Sequence, residues 1–418
     1  MNTCQTLDDV GMTRRDWVPS RAQVAIFSPD SFGLGHFRRS MLIAERLLDE
    51  PTIDGVVVIT GSPAADRFTP LAGIDIVTLP TVTKDARGRY CSGEDDTPIA
   101  EVLRARGLAA AQTIRDYRPD LLLVDHAPTG LAGELNVLLD ELALDRRRPT
   151  LVLGMREIID DVDTVRAEWQ RSGAFEAIAT RYDHVLVYGD PQVETTAMEL
   201  GLDRLARGCV EHVGYVARPM PPRRTTDPRQ RPQILVTVGG GGDGRLLLDT
   251  YASALRQLGS AADFTSVVLT GPMLSDSDRA AVERTLLATG ADVEISAFTP
   301  SPEPLMAAAT GVVAMGGYNT VTELMSLGTP ALIVPREFPR REQLLRAQRL
   351  GDIGAIDWEV SGHLTARRLQ TFVATAQRAA GRRPRVDLGG RDASARSITA
   401  LLGERARRRQ GGPVGASR

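Results

Sequence analysis

Residues 312–335, "VVAMGGYNTVTELMSLGTPALIVP", decide the fold. An apolar run ends in Gly316 and Gly317, a helical stretch runs to Gly328, and a second apolar run, "PALIVP", follows. Two buried strands joined by a helix of about two turns make the repeating unit of a parallel α/β sheet. Thr320 with Glu323 three residues later reads as a capping box, which places one acid in the first turn of that helix. Capping explains neither the two glycines nor the residues after the second strand. There Arg336, Arg340, Arg341, Glu342 and Gln343 crowd one strand end.

The same rhythm extends outward. "QVAIFS" (23–28), "DGVVVITG" (54–61), "GIDIVTLP" (73–80), "DLLLVDH" (120–126), "PTLVLGMR" (149–156) and "HVLVYG" (184–189) read as strands with helical stretches between them. Near residue 215 the texture changes to "YVARPMPPRRTTDPRQRPQ", whose prolines hold neither a helix nor a central strand. After it the alternation resumes. The sequence therefore predicts a loose leader (1–20), an α/β domain (21–218), a linker (219–232) and a second α/β domain (233–400). A basic tail (401–418) follows, which either frays or packs back on the first domain.

Composition sets the class. The 418 residues are 42% hydrophobic and 25% charged, with a net charge of −3, so neither nucleic acid nor an anionic membrane is called for. Cys4, Cys91 and Cys209 lie too far apart for a metal motif or a disulfide framework. No apolar run approaches the roughly 18 residues of a membrane helix, and the N-terminus lacks a signal-peptide core. A cytoplasmic protein is the expectation.

Open parallel sheets bind ligands beyond the carboxyl ends of their strands, so the loops there carry the chemistry. In "FSPDSFGLGHFRRS", Gly33 and Gly35 let backbone approach a ligand, while His36, Arg38 and Arg39 open a helix. The spacing is not that of a dinucleotide fingerprint. In "LLLVDHAPTG", Asp125 either orients a histidine from a neighbouring loop or caps the next turn, and His126 follows it. In "VTVGGGGDGRLL", Gly240, Gly241 and Gly242 offer unobstructed amides for phosphate oxygens, with no lysine of a P-loop.

The stretch "MGGYNTVTELMSLGTPALIVPREFPRREQLLRA" resembles the donor-nucleotide motif of GT-B glycosyltransferases, with MurG and the diacylglycerol glycosyltransferases as nearest kin. It is also similar to a group of predicted bacterial glycosyltransferases. "SFGLGHFRRS" is similar to the glycine-rich loop of MurG, and the likeness covers roughly residues 22–385. It implies an α/β GT-B fold, two Rossmann-like domains facing a central cleft. It implies transfer of a sugar from a nucleoside diphosphate, UDP, to a small-molecule or lipid acceptor, inverting, independent of metal, with no cofactor beyond the nucleotide-sugar co-substrate.

The resemblance also assigns residues. Gly240, Gly241 and Gly242 would hold the diphosphate, Phe298 and Thr299 the base, and Glu323 the ribose hydroxyls. Gly316, Gly317, Asn319 and Thr320 would form the helix entry on the donor side. Gln343 would meet sugar hydroxyls, and Arg218 would lie near the nucleotide. His36 would act as base with Asp125 behind it; Gly33, Gly35, Arg39 and His126 would line the acceptor or diphosphate side. Gly241 stands where MurG has a serine and Glu342 where it has a glutamine. No Asp-x-Asp stands where a metal ion would be expected. The rival readings are a 2-epimerase-like GT-B enzyme, a silent nucleotide-sugar-binding protein, and a membrane-associated enzyme using "GLAGELNVLLDEL", whose other reading is a core helix.

Overall fold

A computed structural model describes residues 21–29, 35–63, 65–84, 90–93, 97–193, 195–222, 231–240, 242–299, 301–379 and 385–410. The expected leader, Gly33, Gly241, most of the linker and the last eight residues lie outside the described residues. The strands are β1 Ala22–Ser28, β2 Ile53–Thr60, β3 Ile74–Thr78, β4 Val82–Lys84, β5 Tyr90–Ser92, β6 Leu121–Asp125, β7 Thr150–Arg156, β8 His184–Tyr188 and β9 Val210–His212. They continue as β10 Gln233–Thr237, β11 Thr265–Leu269, β12 Val293–Ser296, β13 Gly311–Ala314, β14 Ala331–Ile333 and β15 Asp357–Trp358.

Seven strands form one parallel sheet in the order β3-β2-β1-β6-β7-β8-β9, and six form another in the order β12-β11-β10-β13-β14-β15. Helices cover both faces, which is why the central strands are apolar without alternation: Val24, Ala25, Ile26 and Phe27 are all buried. Register then places the loops. β1 pairs with β6 through Phe27 and Val124, which brings the chain after Ser28 beside Asp125. β10 pairs with β13 through Thr237 and Ala314, which brings the glycine loop beside Gly316. Each pair marks a point where strand order reverses, the crevice that open sheets use for ligands.

The opening segment folds differently from its sequence reading. Its helix is Tyr318–Leu327, capped at Gly317 with no side-chain cap bond and no acid in its first turn. Thr320 and Glu323 form no capping box: Gly317 takes the cap position in extended backbone, and Tyr318 is drawn into the core, so the helix starts earlier. Glu323 falls in the second turn and is buried. The helix stops at Gly328, whose φ of 65° suits a residue without Cβ.

The chain also crosses back before residue 400. Val216 and Gly389 pair as an isolated bridge, and the helix Gly390–Gln410 lies on the first domain. Ala395, Ile398 and Leu402 join the core beneath the first helix, Gly35–Leu48. Arg46 Nε donates to Asp392 at 2.6 Å and Arg409 Nη1 to Asp120 at 3.3 Å, so residues 401–410 are held helix. In the segment Gly130–Leu142, Leu135, Leu138, Leu139 and Leu142 are buried in the first domain's core. Among the described residues no helix is long and apolar enough to cross a membrane.

Tyr318 joins the two sheets. Its hydroxyl accepts from the Val216 N–H at 2.9 Å and donates to the Tyr188 carbonyl at 3.1 Å. Both partners are buried, so Tyr318→Phe leaves a donor and an acceptor without water. A loss of about 1–3 kcal/mol in denaturant-unfolding free energy is expected; an unchanged midpoint would show that these bonds carry no interdomain weight.

Candidate active site in the interdomain cleft

On the first sheet, Asp125 ends β6 and is almost fully buried. Arg39 donates to it from Nη2 at 2.9 and 2.7 Å and from Nε at 3.2 Å. His36 Nδ1 lies 2.7 Å from Asp125 Oδ2. Burial pulls the Asp125 carboxyl upward, but Arg39 and the His36 bond outweigh it and hold it below its ordinary value. An ionised carboxylate only accepts, so Nδ1 carries the hydrogen, and in the neutral ring Nε2 is then the nitrogen with the lone pair. Arg39 Nη2 is also 2.9 Å from Nδ1, as two donors converging on one carboxylate must be.

His126 follows directly, at φ 68°, with its N–H on the Gly154 carbonyl at 2.5 Å. Its ring lies 4.6 Å from that of His36. Burial, then Arg156, His36 and Arg39, hold its imidazole well below the ordinary histidine value, so it is neutral at neutral pH. The buried Arg106–Glu134 pair, 2.5 Å apart, anchors the loop that carries it.

On the second sheet, Glu323 faces the hinge. Arg218 Nε is 3.6 Å from its Oε1, while the same guanidinium pairs with Glu303. Arg38, Leu42, Val216, Asn319 and Thr322 complete the enclosure. Burial raises the Glu323 carboxyl above its ordinary value, against the pull of Arg218 and Arg38. Asn319 Nδ2 donates across the cleft to the Gly35 carbonyl at 3.2 Å. Gly317 has room in front of it: a Cβ there would meet nothing within 4 Å. Neither packing nor a positive φ requires glycine at this position.

The glycine loop follows β10 with Gly239 at φ 64°, and a Cβ built there would sit 3.9 Å from Thr320 Oγ1. Gly240 accepts from the Met273 N–H at 2.9 Å. Asp243, in the same loop, pairs with Arg336, which also pairs with Glu342 at the start of the helix Glu342–Asp352. Glu342 is therefore committed to an arginine. Gln343 Oε1 accepts from the Gly316 and Arg336 N–H groups, both at 3.1 Å, so only its amide nitrogen is left for a ligand. Phe298, 42% exposed, and Thr299 follow the edge strand β12; Glu303, which starts the next helix, shares Arg218 with Glu323.

The expected residues thus fall in three groups on one cleft: Gly35, His36, Arg39, Asp125 and His126; Asn319, Glu323 and Arg218; Gly240, Gly242, Thr320, Gly316 and Gln343. Sequence reasoning missed Tyr318, Arg346, Glu157, Asp243 and the partnership of Arg336. Arg346 Nε donates to Glu157 Oε1 at 2.5 Å and Nη1 to the Gly316 carbonyl at 3.0 Å, a link between sheets that spacing alone does not signal. Among the described residues no group of three or more His, Cys, Asp or Glu side chains could hold a metal ion.

Residues 233–378 match the model described as the glycosyltransferase family 28 C-terminal domain. The chain is 24% identical to the UDP-N-acetylglucosamine–N-acetylmuramyl-(pentapeptide) pyrophosphoryl-undecaprenol N-acetylglucosamine transferase of Histophilus somni, over 61% of this chain and 63% of that one. It is 26% identical to the protein of the same name from an Anaeromyxobacter species, over 92% and 94%. The crystal structure of Acinetobacter baumannii MurG superposes with a TM-score of 0.54 at 13% identity, over 92% of this chain and 99% of that one. A putative UDP-N-acetylglucosamine 2-epimerase from Listeria monocytogenes does so at 0.59 and 13%, over 92% and 97%. Such identities establish shared architecture. The chain shares the GT-B fold of these glycosyltransferases and is similar to MurG over most of its length, and its residues 233–378 match the family 28 C-terminal domain.

Proposed function

We propose that the protein transfers a glycosyl unit from a UDP-sugar to a hydroxyl acceptor, with inversion and without a metal ion. The observation that carries this reading is the His36–Asp125 pair, at the start of a helix whose Gly35 carbonyl accepts from Asn319 of the helix that bears Glu323. With Nδ1–H held by an ionised Asp125, His36 Nε2 takes the acceptor's proton as its oxygen attacks the anomeric carbon. The bond from that carbon to the diphosphate breaks on the opposite face, which inverts the configuration. Asp125 then stabilises the imidazolium without taking its proton. The MurG-like relatives, whose names specify UDP-N-acetylglucosamine, support the choice of UDP.

On the donor side, Glu323 accepts the two ribose hydroxyls, and the amides of the glycine loop receive the diphosphate. Arg336 stands ready as its counter-cation. Asp243 is its more exposed partner and Glu342 the more buried one, so an arriving dianion displaces Asp243 at small cost. Gln343 offers its amide nitrogen to a sugar hydroxyl. The epimerase-like alternative rests on fold alone and separates by products: with no acceptor present it converts the UDP-sugar into its epimer, with the sugar still joined to UDP at the end of the reaction.

Three outcomes test the reading. His36→Ala should lower turnover about 10²–10⁴-fold while UDP still raises the melting temperature; full turnover with the true acceptor would remove His36 as base. Glu323→Gln should weaken UDP by about tenfold or more in calorimetric titration, the worth of a bond to a charged group. Its folded-state carboxyl lies above the unfolded value, so its charge opposes folding at neutral pH and that cost fades as pH falls through the folded value. Glu323→Gln should therefore keep or raise stability at pH 7, and equal losses of stability and affinity would point to misfolding instead. For the diphosphate, Arg336→Gln should erase the preference for UDP over UMP, whereas Asp243→Asn should sharpen it. Changes of the same sign in both variants would make the pair a loop brace only.

A further inference from the structure

Two charged groups on either side of the interdomain seam each keep a buried atom without a partner. Arg156 ends β7 on the first sheet, and its Nε is one such atom. Glu342 opens the helix Glu342–Asp352 of the second domain; its Oε1 accepts from Arg336, and its Oε2 is the other. The seam between them is pinned at two points. Arg346, one turn further along the helix of Glu342, donates to Glu157, the residue after Arg156, at 2.5 Å. The N–H of Arg341, the residue before Glu342, donates to Asp160 Oδ1 at 2.8 Å. Glu342 is thus held against the segment that follows Arg156. Glu157 Oε2 is also buried without a partner, but of the two carboxylates Glu342 acts more strongly on the Arg156 guanidinium. Burial, then Arg346, push that guanidinium down to about 10, and Glu342 pulls the other way.

A buried donor and a buried acceptor of opposite charge, each left unsatisfied, are costly, and a short closing of the seam satisfies both. Arg336 gives the seam a reason to close. It joins Glu342 to Asp243 of the glycine loop, and on the glycosyltransfer reading it turns from Asp243 to the donor's diphosphate. A dianion takes up the charge of Arg336 and leaves Glu342 short of a counter-ion. We propose that Arg156 and Glu342 are positioning residues, a latch that pairs across the seam when a diphosphate engages Arg336. Neither touches the reacting atoms. Arg156 lies two residues beyond Gly154, the register partner of Asp125, so a pull on the end of β7 acts on the strand that orients His36. The latch brings the His36–Asp125 wall onto a donor that is already seated. The trigger through Arg336 rests on the glycosyltransfer reading; the pairing of Arg156 with Glu342 does not.

Calorimetric titration of the full chain with UDP and with UMP, in double-mutant cycles, tests this. Arg156→Gln should weaken UDP about tenfold and leave UMP within about twofold, because UMP offers Arg336 no β-phosphate. Retained UMP binding also reports that the variant is folded. Arg156→Lys, which keeps the charge, should lose less than about threefold in UDP affinity. In a Glu342→Gln or an Arg336→Gln background, adding Arg156→Gln should change UDP affinity no further, because the chain from diphosphate to Arg156 is already cut. Equal UDP affinity in wild type and Arg156→Gln would overturn the latch. So would equal losses of UDP and UMP, or a loss that persists undiminished in the Glu342→Gln background, which would give Arg156 a direct contact with the nucleotide. If the wild type binds neither UDP nor UMP, the glycosyltransfer reading falls, and inorganic pyrophosphate takes the place of UDP in the same cycle. A pyrophosphate loss in Arg156→Gln that vanishes in the Glu342→Gln background then keeps the latch, and an additive loss or none overturns it.

Discussion

One buried guanidinium holds the cleft in shape. Arg346 is fully buried, and it bonds Glu157 from the end of β7, the carbonyl of Gly316 after β13, and the carbonyl of Ile158 at 3.4 Å. It therefore fixes the distance between the two strand edges that carry the candidate chemistry. Removing one partner of such a pair costs roughly 3–5 kcal/mol, because the other charge stays buried. Tyr318 lies between Arg346 and Arg39, its ring 5.7 and 5.2 Å from their guanidinium carbons. The two arginines share one aromatic face-lining residue, so the His36 side and the Gly316 side of the cleft are braced against the same ring.

Around that brace, charge is arranged in closed pairs with a few open ends, and the open ends are informative. Asp125 is over-satisfied and stays ionised, the condition for orienting His36. Glu323 is under-satisfied: its carboxyl is raised by burial, and the hinge arginine near it is shared with Glu303. A carboxylate kept short of partners is poised for hydroxyl donors. Paired residues here set geometry, whereas unpaired ones are where ligands would repay the cost of burial.

The fold was legible because it depends on local patterns. Short apolar runs alternating with helical stretches gave the two sheets, and the proline-rich change near residue 215 marked the hinge. His36 with Asp125 could be suspected from their places at strand ends, since both follow apolar strands of one predicted sheet. The capping box was misread for a physical reason: Thr320 and Glu323 fit the local grammar, but the burial of Tyr318 moved the helix start to Gly317. Tertiary packing outweighed a local hydrogen bond. A return to the first domain was one of two readings of the tail, but its start at Gly390 could not be read, because the helix is largely polar and Ala395, Ile398 and Leu402 tie it down.

By itself the sequence determined the α/β order, the Gly316–Gly317 turn and which loops lie at strand ends, since propensity and periodicity act over a few residues. Tertiary structure alone decided which charges meet. Arg336 finds Asp243 across 93 positions and Arg346 finds Glu157 across 189, and no spacing rule encodes either contact. Pairing at such separations depends on strand register and on the crossing of the hinge.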